Sequence, residues 1–200
     1  MIAPGTTRKA ARTRARLIEA ARRVLIDQGG SAEIGDITGE AGVSAGLAHH
    51  YFGSKSGLIT AVLEAFYADY EAVMNRRYPG DNWQQRERAR TRAVVGFVLD
   101  EPFAAVAFGA LALSGEAALA EARCLNGLIS LGARNIAGGQ ASGEISAGLD
   151  PELAAAFVLG GTRQLLATAL TTSAAPDAEA ITETIWAHIA GALGLAGDGR

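Results

Sequence analysis

At 200 residues and 49% hydrophobic, the chain is large enough for one sizeable or two small folded domains. Its single cysteine, Cys124, rules out an intramolecular disulfide and a cysteine-rich zinc site. The net charge of −3 conceals an asymmetry: residues 1–60 carry +3, the remaining 140 carry −6, and the first sixteen hold five cations and no acid. A basic end on an acidic body points either to a polyanionic partner for that end alone or to a solvated tail.

No apolar run reaches the ~20 residues of a membrane span, and M-I-A-P-G-T-T-R-K lacks the apolar centre of a signal peptide. A cytoplasmic protein with no membrane association is expected. Alanine and leucine dominate while β-branched residues are scattered, which favours an all-α fold.

In chain order, residues 8–28 read as an amphipathic helix with Leu17, Ile18, Ala21, Val24 and Leu25 on one stripe, stopped by Gly29-Gly30. Residues 34–41 form a short helix with Ile34, Ile37 and Ala41 on one face, broken at Gly42-Val43. Ser44 can cap a second short helix, 45–52, and Ser54 a long one reaching about residue 77, before Pro79-Gly80. Further helices are expected at 83–100, 102–113, 116–138, 151–172 and 177–194. Asp150-Pro151-Glu152 is a strong helix start, and Asp177 a similar one. The glycine-rich stretch 136–148 reads as a loop. The domain boundaries expected are 1–55, a connecting helix 56–78, and 79–200.

The stretch V-S-A-G-L-A-H-H-Y-F-G-S-K, residues 43–55, carries the most chemistry. As a metal site it fails: His49 and His50 project about 100° apart on a helix, and chelation from one helix face wants i, i+4 spacing. As a core helix it is short, with a small and then polar–aromatic outer face. As a helix-turn-helix, 34–41, 42–44 and 45–52 have the required lengths. Ala45 and Gly46 then permit close approach to a major groove and contact with a thymine methyl. His49 can hydrogen-bond a base or phosphate, and His50 and Tyr51 can donate to phosphates. Lys55 adds charge beside the free N–H groups of the next helix. The basic stretch from Arg8, Lys9 and Arg12 to Arg14 and Arg16 can track the backbone or enter a minor groove.

These residues carry a family resemblance. L-I-E-A-A (17–21), D-I-T-G-E-A-G-V-S (36–44), H-Y-F-G-S-K-S-G-L (50–58) and A-V-L-E (61–64) resemble the DNA-binding domain of TetR-family transcriptional regulators in order and spacing. The A-G-L-A-H-H-Y-F form is most similar to the BetI-like branch. The resemblance covers the N-terminal third; beyond it the likeness is one of outline. It implies nine helices in two parts, an N-terminal helix-turn-helix domain and a C-terminal bundle. It further implies a homodimer through the last two helices, a palindromic operator, and an apolar cavity whose small-molecule effector changes operator affinity, typically as a repressor. It also implies DNA contacts from Ser44, Ala45, Gly46, Leu47, His49, His50, Tyr51 and Lys55, with Arg8, Lys9 and Arg12 on the arm. The chain departs from the family pattern in five places. Ala32-Glu33 stands where Ser or Thr usually caps, Gly35 where an arginine often reads a base, and Gly39 inside a helix. Leu47 replaces a phosphate-binding threonine and Ala48 a core leucine. Thin base reading and steep salt dependence are expected.

For the effector, Phe97, Phe103, Phe108 and Phe157, with Leu111, Leu128 and Leu166, either line a cavity or are plain core. Arg123, Asn126, Arg163 and Gln164 reach a ligand, the surface or a dimer contact. Ala155, Val158, Leu159, Thr162 and Leu166 offer a dimer face, with Trp186 in its seam. No nucleophile with a base, phosphate loop or metal cluster is visible, so no catalytic residue, metal or cofactor is expected. The alternative to a regulator is a helical protein–protein adaptor, which would not need the acid-free basic stretch.

Overall fold

The computed structural model describes residues 4–111, 118–172 and 177–195, with side chains from Arg8 onward, and these residues form nine α-helices and no strand. The first, α1 (Pro4–Asp27), buries Leu17, Ala20, Ala21, Val24 and Leu25 against α2 (Ile34–Ala41) and α4 (Lys55–Met74). It stops at Gly29 and Gly30, both at positive φ. It begins at Pro4 rather than at residue 8, four residues ahead of the basic stretch.

Between α2 and α3 (Ala45–Phe52) the chain turns at Gly42, whose φ of 61° lies in the left-handed region open to glycine. Its neighbour's N–H, that of Val43, donates to the Thr38 carbonyl at 3.0 Å. Glu33 precedes α2 without capping it. Ser44 and Ser54 both cap: their hydroxyls accept from the N–H groups of Leu47 and Gly57. Ala48 is 1% exposed, so the small residue at this core position lets α3 seat closely on α4. Helix α4 ends at Met74, short of the expected residue 77, where the Tyr78 hydroxyl donates to the Val73 carbonyl at 2.7 Å.

The body comprises α5 (Trp83–Asp100), α6 (Phe103–Phe108), α7 (Ala118–Ala141), α8 (Pro151–Thr171) and α9 (Ala178–Ala192). Asp150 and Asp177 each accept two backbone N–H bonds as N-caps. Three expectations are corrected. Helix α6 stops at Phe108 and not at 113; the next expected start, 116, lies outside the described residues. Helix α7 continues through the glycine pair to Ala141, so only the latter half of 136–148 is a loop. Gly139 lacks a side chain because Ile145 and the Trp83 ring occupy that space, and the Gln140 amide ties the loop down by donating to the carbonyls of Ser146 and Leu149. Third, α8 is long and apolar enough to cross a membrane by length and composition, contrary to the reading of the sequence. It packs along α7 and holds Arg163 in an ion pair with Glu121, yet much of its apolar surface stays uncovered.

Phe66 of α4 centres the core where the two parts meet. Its ring lies 5.2–5.9 Å from those of Tyr67, Phe97, Phe103 and Phe108. Helix α6 also abuts the end of α1, where the space a side chain on Gly30 would need is filled by Ala110.

Candidate functional site

Two regions combine chemistry with access. The first is the outer face of α3. Ala45, Gly46, His49 and His50 are exposed, because the helix buries only Ala48 fully and half-buries Leu47 on the other side. The Ser44 cap fixes the start of this helix, leaving its first turn toward solvent. Tyr51 is half-buried, its ring edge-on to His50 at 5.4 Å. Lys55 opens α4 beside that helix's free N–H groups and lies 3.6 Å from the Glu33 carboxylate. Arg8, Lys9 and Arg12 are exposed along α1. Arg14 and Arg16 are exposed as well but also make contacts within the chain: Arg14 lies over the Phe52 ring at 5.2 Å, and Arg16 donates to the Ala41 carbonyl that ends α2. Those two residues brace the helix-turn-helix against α1.

A concavity opens beside this face, lined by Ile34, Ala45, Gly46, His49, Ser54 and Lys55. The sequence reading had set Ile34 on one face with Ile37 and Ala41, and Ser54 only as a cap.

The second region is a cleft inside the body with a volume of about 70 Å³. Val94, Leu128, Ile136, Leu159 and Ile189 give it an apolar body, and Trp83, Glu87, Arg90 and Asn135 a polar end. That end is networked. Arg90 pairs with Glu87 and donates from Nε to the Met74 carbonyl at 2.9 Å. The Asn135 amide donates to Glu87 at 2.7 Å, and the Trp83 indole to the Asn135 carbonyl at 3.1 Å. Burial pushes the Arg90 guanidinium below its ordinary pKa, against an opposing effect from Tyr78. A shallower groove on the same side adds Arg134 and Asn75 at the mouth.

Of the residues proposed from sequence for the effector, Leu128 lines this cleft, whereas Phe97, Phe103, Phe108, Leu111, Arg123, Asn126, Phe157, Arg163, Gln164 and Leu166 do not. Phe103 and Phe108 are buried and Phe97 half-buried, all packed on Phe66 as plain core. Arg123, Asn126 and Gln164 are exposed, and Phe157 is 70% exposed on the outside of α8. Phe157 and Gln164 instead line a groove between α8 and α9, together with His188. Arg163 turns inward to Glu121, which also accepts from the Tyr67 hydroxyl at 3.2 Å. Cys124 is half-buried, and burial together with Glu64 raises its thiol pKa. The missed residues do leave a signal. Trp83, Glu87, Arg90, Thr91 and Val94 fall at i, i+4, i+7, i+8 and i+11, a stripe with an ion pair inside it.

Comparison with known proteins agrees with this geometry. Residues 17–62 match the family described as bacterial regulatory proteins, tetR family. The HTH-type transcriptional regulator BetI of Burkholderia mallei (strain NCTC 10229) is 36% identical over 90 residues. That alignment covers 44% of this chain and 45% of the relative. A TetR-family transcriptional regulator from Pectobacterium atrosepticum superposes with a TM-score of 0.72 at 22% identity, covering 96% of this chain and 98% of that one. The transcriptional regulator FadR from Bacillus subtilis, solved in complex with stearoyl-CoA, superposes with a TM-score of 0.74 at 20% identity, covering 88% and 96%. At such identities the structural likeness is one of fold. Residues 17–62 therefore carry the domain of the TetR family, and over most of its length the chain has the all-helical fold of TetR-family regulators.

Proposed function

We propose that this protein is a cytoplasmic DNA-binding transcriptional regulator, a homodimer that represses from a palindromic operator and is released by a small, largely apolar effector. The observation that carries this reading is the α2–turn–α3 unit. It offers a short helix with small exposed residues at its start, a lysine at the head of the following helix, and exposed cations on α1. Ser44 to Tyr51 then approach the major groove, while Lys55 and the α4 N-terminus hold a phosphate. Arg8, Lys9 and Arg12 supply further backbone contacts.

The effector site in this reading is the cleft between α4, α5, α7, α8 and α9, not the phenylalanine set. Its 70 Å³ is under half the ~150 Å³ that holds a benzene in an apolar cavity. Binding of anything larger therefore requires helices to move. That the Bacillus subtilis FadR, a protein of similar fold, was solved in complex with stearoyl-CoA supports a ligand-responsive reading. Dimerisation through α8 and α9 is supported by the exposed Leu153 and Phe157 on an uncovered apolar helix.

The test is fluorescence anisotropy on duplexes flanking the gene, with excess random duplex and a salt series. Selective binding that weakens steeply with salt is the expected result. Absence of both selective and non-specific duplex binding overturns the reading in favour of a protein adaptor.

A further inference from the structure

The concavity beside α3 has an apolar floor on a surface that otherwise suits a polyanion. Ile34, Ala45 and Gly46 contribute no polar side-chain atom to it, and His49, Ser54 and Lys55 complete its wall. Lys55 and the N-terminus of α4 border it, with the Glu33 carboxylate 3.6 Å from the Lys55 ammonium. The geometry points to a socket for the C5-methyl group of a thymine presented in the major groove, with Ile34 and Gly46 setting the preference. This inference rests on the DNA-binding reading above and names the base that one part of that surface selects.

In the DNA-binding reading Lys55 and the N–H groups that open α4 bring a phosphate to the edge of this concavity. Within the major groove, thymine is the base that displays an apolar group, its C5-methyl. An apolar notch beside phosphate-binding groups therefore discriminates by contact with that methyl rather than by hydrogen bonds.

Gly46 supplies an independent observation. Glycine weakens a helix, and nothing internal requires one at this position. Its backbone is not at positive φ, and the place where a side chain would stand has no atom within 4 Å. A larger residue would fit the free protein and fill the notch. Ile34 comes from a different helix, so the socket depends on the packing of α2 against α3 and on the cap at Ser44.

The experiment starts by selecting duplexes from a random-sequence library with the full-length protein. Each thymine of the recovered duplex is then replaced in turn by deoxyuridine, which removes only the methyl group. The expected result is one thymine per half-site whose replacement weakens binding about fourfold, the effect of burying a single methyl. Gly46→Leu, with folding verified by circular dichroism, should bind thymine and uracil duplexes alike. Ile34→Ala should reduce the discrimination from the other wall. A selected duplex that binds tightly yet is indifferent to deoxyuridine at every position overturns the socket and leaves the DNA-binding reading standing. So does a folded Gly46→Leu protein that keeps the full thymine preference. Failure of the selection to enrich any sequence overturns the socket, and the absence of non-specific duplex binding as well overturns the DNA-binding reading.

Discussion

Arg22, near the end of α1, forms an ion pair with Glu101 at the end of α5, and its guanidinium lies 5.6 Å from the centre of the Phe103 ring. A residue of the helix-turn-helix domain is thereby joined to two elements of the body. The two charged side chains are 18% and 20% exposed, so the pair is largely sheltered from solvent. Arg22→Ala should destabilise the protein by about 1.5–3 kcal/mol, the range for hydrogen bonds involving charged groups. Urea denaturation of Arg22→Ala, Glu101→Gln and the double variant checks this. Additive effects would mean that the two residues do not stabilise each other.

Glu121 is 8% exposed and is held by Arg163 and Tyr67. Removing Arg163 leaves a buried carboxylate without its countercharge. Arg163→Ala should cost about 3–5 kcal/mol, whereas the apolar pair Arg163→Met with Glu121→Leu should lie much closer to the native stability. Denaturant midpoints of the two variants distinguish these outcomes.

Burial raises the pKa of Tyr67 and Tyr70 well above the ordinary phenol value of 10.0, assisted at Tyr67 by Glu121 and at Tyr70 by Tyr67. Both are neutral in the fold at alkaline pH at which the unfolded chain already ionises. Their contribution is fully present below 10.0 and is lost as pH rises beyond it. The thermal midpoint should fall as pH rises past 10.0, and Tyr67→Phe should lessen that fall.

Lys55 sits at the head of α4, and its predicted phosphate contact is independent of sequence. Lys55→Ala should weaken all duplexes to a similar degree. It should also lower the slope of log affinity against log salt by about 0.9 for each half-site. An unchanged slope would remove Lys55 from the DNA surface.

Phe157 projects from α8 with 70% of its surface exposed, beside the groove that α8 forms with α9. Phe157→Glu places a charge there without touching the core. Sedimentation should show the dimer converting to monomer, with helical content retained and operator affinity reduced. A variant that remains dimeric places the interface elsewhere.

Much of this architecture is written locally. Ser44, Ser54, Asp150 and Asp177 cap their helices as their positions in the chain suggest, and Gly42 turns the chain between α2 and α3. A cap needs only a side chain and the N–H groups two or three residues on, so neighbours in sequence decide it. The same holds for the apolar stripes of α1 and α4, whose period marks their buried faces.

What the sequence by itself determined is therefore where helices start, which faces are apolar, and the unit of two short helices with its basic flank. Tertiary structure decided which apolar residues border empty space. Phe97, Phe103 and Phe108 look no different in sequence from cavity residues, yet helices distant in the chain bring them together on Phe66. Glycines at 138 and 139 weaken an isolated helix, yet α7 runs through them, and at Gly139 Ile145 and Trp83 occupy the space a side chain would need. Arg14 and Arg16 belong to the basic stretch by sequence, but Phe52 and the Ala41 carbonyl lie within their reach only after folding. Burial is a property of packed pairs of helices, and local spacing records only one member of each pair.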